Sequence, residues 1–474
     1  MFLKQFNQLG AFFKQGKNIL IFFIGVGISS QAFAQKTADI MHEKILDNGL
    51  KVIVKEDHRS PTVAHMIWYK TGAIDENYGV TGVAHVLEHM MFKGTKNIAS
   101  GEFSKKIAAL GGRENAFTSS DYTAYFQQIE KSHLPEMMRL EADRMHLLNF
   151  TEAEFLKEIK VVMEERRLRT EDKATGLLYE QFLATAFNSA PNRHPVVGWM
   201  SDLKNMTYQD AKDWYDRWYT PSNAVLVVVG DVNPQEVFSL AQKTYGQVPN
   251  KTLPLRKVQS EPEQRGMRRF IVKAPAENVV VFMGWKVPKI INGDLGPIEP
   301  FALSVLSGIL DGNQNTRLNR ILVKQKRISS GVGASYDADA RGEQLFFISG
   351  TLLAGKKPEL FESEVKKIIS DIAKNGVQAA ELERVKIAVT ASQVYKRDSV
   401  FGQAMEIGSS EMSGLSWKKI DQVSEKILDV TAEQVQEVAS KYFQDAQLTI
   451  GILDPQQMSK KNPLGSQPPF VVKH

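Results

Sequence analysis

The order of strands and helices predicted for the first half of the chain begins again in the second half. In the first half, apolar runs and helical spacing predict elements at residues 50–55, 62–69, 79–93, 101–110, 134–148, 152–169 and 224–231. In the second half, the predicted elements lie at residues 278–285, 300–310, 334–351 (a hairpin), 357–375 and 448–453. The parallel order predicts an α+β fold made of a duplicated unit.

A polar, proline-containing stretch separates the two halves. It includes Pro249, Pro254 and the run Glu-Pro-Glu-Gln-Arg-Gly at residues 261–266, which is typical of a linker. With 474 residues, the chain is also too long for one ordinary hydrophobic core. We therefore predict a first domain at residues 35–250, a linker at 251–267 and a second domain at 268–474.

The first 34 residues have the pattern of a cleavable secretory signal. Lys14 and Lys17 precede an apolar run at residues 19–28, and Ala32-Phe33-Ala34 forms an A-x-A site. The run is short for a bilayer span, and no later stretch is a candidate. We expect cleavage after Ala34 and a periplasmic or secreted protein. An uncleaved membrane anchor is the alternative. A mitochondrial presequence fits poorly, because the first 34 residues contain no arginine.

The composition excludes several kinds of site. The sequence has no cysteine, so disulfides, thiolate metal ligands and cysteine nucleophiles are excluded. Any metal must be bound by His, Asp or Glu. The formal net charge is +5, and Lys4, Lys14 and Lys17 of the predicted signal account for three of these charges. The remainder is nearly balanced, and no basic block carries interleaved aromatics, so nucleic-acid binding is not indicated.

The pentapeptide His85-Val86-Leu87-Glu88-His89 places two histidines four residues apart. On a helix these side chains lie on one face, so the two imidazoles can bind one zinc ion. Glu88 lies beside them and can take a proton from the attacking water and return it to the leaving amine. This H-x-x-E-H order is the inverse of the commoner zincin motif. The alternative for the pentapeptide alone is a chance pair of surface histidines.

A catalytic zinc ion needs a third protein ligand. The helix predicted at residues 152–169 offers Glu158, Glu164 and Glu165. Glu158 and Glu165 are two turns apart on one face, whereas Glu164 points about 100° away from Glu165. One of the first two could bind the metal while the other orients a histidine. Spacing alone does not choose among them.

Several ordered motifs resemble one family. Residues 82–95 (GVAHVLEHMMFKGT) resemble the signature of the insulinase, or pitrilysin-like (M16), family of zinc metallopeptidases. The resemblance continues through residues 111–118 (GGRENAFT), 158–165 and 219–224 (YTPSNA), and it extends over nearly all of the chain after the signal. It implies two homologous α+β domains, each a mainly antiparallel sheet with helices packed on one face, as in mitochondrial-processing-peptidase-like proteins.

The resemblance also implies residue roles. One zinc ion per chain would be bound by His85, His89 and Glu165, with Glu88 as general base. Glu158 matches the carboxylate that supports the ligands from behind. The remaining matches form an edge strand that pairs with extended substrate, namely Asn115, Ala116 and Phe117.

The second half departs from the family pattern. Active one-chain or self-pairing members carry an Arg and, seven residues on, a Tyr that bind the substrate backbone and stabilise the tetrahedral intermediate. An ungapped alignment places Val323 and Ser330 there, and neither can replace them. Arg327 and Tyr336 lie nearby at the wrong spacing. The chain therefore resembles the zinc-bearing subunit of two-subunit bacterial members, and we expect a homologous partner subunit or a second copy of this chain.

The predicted function is a zinc-dependent endopeptidase that hydrolyses peptides or unfolded small proteins. The alternative is a non-catalytic structural or assembly subunit of the same fold. The full set of His85, Glu88, His89 and Glu165 argues against it, because a scaffold needs no base beside metal ligands. Zinc storage would require more histidines, and the rest of the nine are scattered.

Overall fold

A computed structural model describes residues 41–257 and 259–457. The predicted signal peptide, residues 1–34, lies outside the described residues and stays a prediction, as does cleavage after Ala34. Within the described part of the chain, no helix is both long enough and apolar enough to cross a membrane.

The first sheet has six strands in the order β1-β2-β6-β3-β5-β4. Its strands are β1 (Met41–Ile45), β2 (Lys51–Glu56), β3 (Thr62–Tyr69), β4 (Arg113–Thr118), β5 (Thr123–Glu130) and β6 (Ala224–Gly230). The parallel pair is β2 and β6, and the other neighbours are antiparallel. The continuous apolar run of β6 is buried along its whole length, as expected for a strand covered on both faces.

The second sheet repeats this arrangement with five strands in the order β7-β11-β8-β10-β9. Its strands are β7 (Arg268–Pro275), β8 (Val280–Val287), β9 (Ser329–Ser335), β10 (Gln344–Leu352) and β11 (Leu448–Gln456). The parallel pair, β7 with β11, takes the place of β2 with β6. Apart from β1, every strand of the first sheet has a counterpart in the second. The predicted α+β class with two mainly antiparallel sheets is confirmed.

Helices lie between the strands in both halves. In the first half they are α1 (Val83–Met90), α2 (Glu102–Ala109), α3 (Leu134–Leu147), α4 (Glu152–Arg166), α5 (Ala174–Ala186), α6 (Met200–Asn205), α7 (Tyr208–Trp218) and α8 (Pro234–Lys243). In the second half they are α9 (Glu299–Leu310), α10 (Pro358–Asn375), α11 (Ala379–Arg397), α12 (Val400–Ser413), α13 (Ile420–Asp429) and α14 (Ala432–Tyr442). A capping box of Thr151 and Glu154 begins α4.

Each half lends one helix to the other half's sheet. The helices of each half cover one face of their own sheet, as predicted. The opposite face of the first sheet packs against α12 through Ala404 and Ile407. The opposite face of the second sheet packs against α5 through Leu178 and Phe182. This exchange was not predicted, and it joins the halves through two apolar layers.

Several predicted bounds differ from the observed ones. The helix predicted at residues 79–93 is shorter and covers Val83–Met90. The helix predicted at residues 152–169 ends at Arg166 and continues as a π-helical turn, Arg167–Glu171. The hairpin predicted at residues 334–351 begins earlier, at Ser329. Ser329 and Gly331 pair with β10 across an irregularity in the register, despite their weak strand signal.

The stretch predicted as a linker contains neither helix nor strand within its described residues. It is nevertheless held to the rest of the molecule. Arg256 donates to Asp75, and the Glu261 carboxylate accepts hydrogen bonds from the backbone of Asn188, Ser189 and Ala190. The domain boundaries themselves stay a prediction.

Candidate metal centre

The helix α1 carries both histidines of the inverted motif and is buried along its whole length. It packs against α4 and α7. Gly82 precedes the helix with φ 89°, and a Cβ there would lie 2.6 Å from the carbonyl oxygen of Val197. The Glu76 carboxylate accepts hydrogen bonds from the amides of Gly82 and Ala84 at 2.7 and 2.9 Å. These contacts fix the start of the helix, one turn before His85.

Three side chains converge between α1 and α4. The Glu165 Oε2 atom lies 3.5 Å from His85 Nε2 and 3.6 Å from His89 Nε2. The three ligand atoms all lie within 4.8 Å of one another. Two imidazole nitrogens and one carboxylate oxygen are a donor set that zinc uses in catalytic sites. The residues therefore fit a zinc ion, and no second such group occurs among the described residues.

Glu158 contacts the far side of His89. Its Oε2 lies 3.2 Å from His89 Nδ1, and its Oε1 lies 2.6 Å from Lys93 Nζ. Burial raises the pKa of Glu158, but the hydrogen bonds to His89 and Lys93 outweigh it and hold the pKa at about 2. Burial lowers the pKa of His89, and the hydrogen bonds to Glu158 and Glu165 raise it to about 9. The contact with Glu158 leaves Nε2 of His89 facing Glu165.

The third acidic candidate, Glu164, lies away from this group. Its side chain is exposed and pairs with Arg167 at 2.7 Å. Glu165, one residue on, is mostly buried, and its Oε1 contacts Arg169. Burial raises the pKa of Glu165, but hydrogen bonding to His89 and the nearby charges of His85 and Arg169 hold it at about 2.

Glu88 is buried beside the three converging side chains. Its Oε2 accepts a hydrogen bond from the Thr118 hydroxyl at 2.5 Å. Burial raises the pKa of Glu88 to about 7, although the Thr118 hydrogen bond and the charge of His89 act to lower it. A carboxyl with a pKa near neutrality can both accept and release a proton at physiological pH.

The residues matched to the substrate-binding strand lie in β4, at the edge of the first sheet. One side of β4 pairs with β5, and among the described residues no strand pairs with its other side. The Phe117 ring packs against Trp68, with ring centroids 5.5 Å apart, on the face covered by α12. Asn115 is exposed, and its Oδ1 accepts a hydrogen bond from the amide of Ala116 at 2.8 Å.

The two positions aligned with the missing Arg and Tyr lie in the second half. Val323 belongs to a π-helical turn, Asn319–Gln325, and Ser330 is an exposed residue of β9. The Ser330 hydroxyl donates to the carbonyl of Thr351 at 3.3 Å. The nearby Tyr336 hydroxyl donates to the carbonyl of Pro288 at 2.5 Å.

Three residues that contact the acidic side chains were not predicted: Lys93, Thr118 and Arg169. Arg169 follows Glu165 by four residues, so helical spacing could have found it. Lys93 and Thr118 contact acids on other elements, and no local signal in the sequence connects them.

Two sheets of one strand order, with a largely buried His-His-Glu group beside a glutamate, define an α+β protein with one candidate metal site among the described residues. The model of the insulinase family (peptidase family M16) matches residues 51–198, and the peptidase M16 inactive-domain model matches residues 205–389. The chain therefore belongs to the insulinase (M16) family of peptidases.

Named relatives agree with this family. The chain is 32% identical to "Zinc protease PqqE" of Helicobacter pylori, over 92% of this chain and 97% of the relative. It is also similar to a crystal structure of a protease from Helicobacter pylori, with TM-score 0.82, 32% identity and coverage of 88% and 99% of the two chains. The periplasmic protease PqqL of Escherichia coli shares the fold, with TM-score 0.73 and 19% identity, over 89% of this chain and 49% of PqqL.

Proposed function

We propose that this chain is a zinc-dependent endopeptidase, with His85, His89 and Glu165 holding the ion and Glu88 acting as general base. The observation that supports the proposal is the convergence of the three ligand atoms within 4.8 Å, next to a buried glutamate. Glu88 is a buried acid with no salt-bridge partner of its own among the described residues. A structural site has no need of such a group beside the ligands.

When bound, zinc would act as a Lewis acid that polarises the peptide carbonyl and activates water. Thr118 holds Oε2 of Glu88, and the Glu88 carboxylate takes the proton of the water. Glu88 then gives this proton to the leaving amine. In the metal-free chain, burial raises the pKa of Glu88 above its usual range, which favours return of the proton. Glu158 keeps the His89 ring in one orientation throughout.

The proposed substrate is an extended peptide or an unfolded small protein. The free side of β4 can pair with a peptide backbone and tolerate many side chains, with Asn115, Ala116 and Phe117 at the contact. Phe117 would contribute backbone hydrogen bonds, because its ring packs on the face of the sheet that α12 covers.

The proposed active form includes a homologous M16 partner, either another subunit or a second copy. The support is that Val323 and Ser330 stand where an Arg and a Tyr are needed. The fold of PqqL adds to this, because the chain spans only 49% of PqqL, so one chain can contain two such units. A periplasmic or secreted location is proposed from the N-terminal pattern of residues 1–34.

Peptide cleavage by Glu88→Gln tests the proposal. The variant keeps the shape of the side chain and should retain zinc, but turnover should fall by about 10²-fold or more because the base is lost. Glu164→Gln is the matched control, since it neutralises an exposed carboxylate next to Glu165 and should leave turnover unchanged.

Each protein is assayed at matched zinc content, with and without the candidate partner subunit. The wild type alone should cleave slowly and gain activity with the partner. Cleavage by Glu88→Gln at the wild-type rate would contradict the proposal and favour a non-catalytic assembly role. Full activity of the chain as a lone monomer would contradict the need for a partner.

A further inference from the structure

Each acidic side chain of the candidate metal centre contacts a different donor through one of its carboxylate oxygens. Thr118 holds Glu88, Lys93 holds Glu158, and Arg169 holds Glu165. The other oxygen of Glu158 and of Glu165 faces the histidines. The pattern matters most at Glu165, because that carboxylate would bind the metal itself.

The contact with Arg169 gives the two oxygens of the Glu165 carboxylate different partners. A guanidinium nitrogen of Arg169 contacts Oε1, while Oε2 faces both imidazole Nε2 atoms. Glu165 is largely covered, with 15% of its side chain exposed, whereas Arg169 is 63% exposed. Arg169 therefore covers the ligand from the solvent side.

The backbone that carries Arg169 is fixed on both sides. Before it, the buried Arg166 side chain donates to Glu180 at 2.6 and 2.9 Å and to the carbonyl of Gly198 at 2.8 Å. After it, Gly176 of α5 packs so closely that a Cβ would lie 2.7 Å from the Arg169 carbonyl oxygen. The turn between these anchors is π-helical, a geometry that is frequent at functional sites.

We propose that Arg169 is a positioning residue for Glu165. It holds Oε1 so that Oε2 alone is presented to the metal, and it prevents the carboxylate from rotating toward solvent. This inference rests on the proposed zinc site. Partners that orient metal ligands typically contribute about 10- to 100-fold to metal affinity, and the expected effect of Arg169 lies in that range.

Arg167 offers a matched control in the same turn. It is also a partly exposed arginine paired with a glutamate, but its partner Glu164 lies outside the metal group. Arg167→Met removes the same charge and the same kind of ion pair as Arg169→Met. Arg169→Lys keeps the charge and loses the planar fork, so it should recover part of the effect.

The deciding measurement is the zinc dissociation constant of the purified full chain, obtained by competition with a chelator. Arg169→Met should weaken binding about 10- to 100-fold, Arg169→Lys less, and Arg167→Met less than about twofold. At saturating zinc, Arg169→Met should lower kcat and leave KM for the peptide unchanged. The unfolding midpoint of the metal-free variant should equal that of the wild type.

Three results would overturn the inference: unchanged zinc affinity in Arg169→Met, an equal loss in Arg167→Met, or a lowered unfolding midpoint of metal-free Arg169→Met. The last would make Arg169 a structural residue. Failure of the proposed function would give different results. The wild type itself would bind no zinc at the site, or Glu88→Gln would remain active.

Discussion

At the scale of single residues, the proposed metal ligands are also proton acceptors, and the two roles compete. Burial lowers the pKa of His89, but its hydrogen bonds to Glu158 and Glu165 raise it to about 9. The pKa of Glu165 is held at about 2 against the raising effect of burial, so this ligand carries no proton near neutrality. Zinc requires a neutral imidazole, so binding must release the His89 proton.

This competition predicts a pH dependence of zinc binding with a definite sign. His89 is protonated below its pKa, so the apparent affinity should rise about tenfold per pH unit between pH 7 and 9 and level off above pH 9. Chelator competition at pH 7, 8 and 9 measures it. Glu158→Gln serves as a comparison, since removing a charge that stabilises the protonated ring should flatten the rise. An affinity that falls as the pH increases over this range would contradict the assignment of His89.

Sequence spacing predicted some residue contacts of the site and not others. The i, i+4 spacing of His85 and His89 correctly predicts that they share a helix face, because both lie in α1. Spacing could not show which of Glu158 and Glu165 would bind the metal, because both lie on one helix face, two turns apart. The contact of Thr118 with Glu88 joins β4 to α1, and such long-range pairs depend on the assembled sheet.

At the scale of elements, the exchange of α5 and α12 is what the sequence could not predict. The strands β3 and β6 have strong apolar runs and were predicted close to their observed bounds. The helix α12 has a modest apolar pattern, and the sheet that its buried residues contact belongs to the other half of the chain. The sequence near α12 therefore does not show which surface the helix packs against.

The close contact of α12 with the first sheet predicts an inverted effect of Gly→Ala. Within a helix, this change normally stabilises by about 0.5–1 kcal/mol. At Gly408, however, a Cβ would lie 2.0 Å from Cε2 of the buried Trp68. Gly408→Ala should therefore destabilise the protein by about 1–3 kcal/mol, as overpacking does.

Thermal or denaturant unfolding measures this effect, and the neighbouring Ser409→Ala is the control. Ser409 donates only to the carbonyl of Glu406 in its own helix, so its loss should change stability by less than about 0.5 kcal/mol. A Gly408→Ala variant as stable as wild type would mean that α12 does not pack on Trp68 at this distance.

At the scale of the whole molecule, the same strand order occurs in both sheets. Among the described residues, however, the candidate metal group occurs in the first half only. The His-His-Glu group belongs to the first half, and the second half has Val323 and Ser330 where a substrate-binding Arg and Tyr would be required. Arg341 of the second half also contacts Asp75 of the first at 2.8 and 2.9 Å. The second half thus contacts the first through this ion pair, and the proposed partner would supply the missing Arg and Tyr.

The repeated order could be predicted from the sequence, because strands and helices in each half have their own apolar patterns. The way the halves meet could not, since it depends on single long-range contacts such as Arg341 with Asp75. The partner is likewise a proposal, argued from Val323 and Ser330 at the positions where an Arg and a Tyr are expected.

The proposed single zinc site of His85, His89 and Glu165 can be tested by stepwise return of zinc to the metal-free chain. Bound zinc and peptide cleavage in the presence of the partner are measured together in the wild type and in Glu165→Gln. In the wild type, binding should saturate at one zinc per chain, and cleavage should rise in proportion. Glu165→Gln should bind zinc more weakly and recover little activity. Full cleavage by the zinc-free chain, or equal zinc binding by both proteins, would contradict the account.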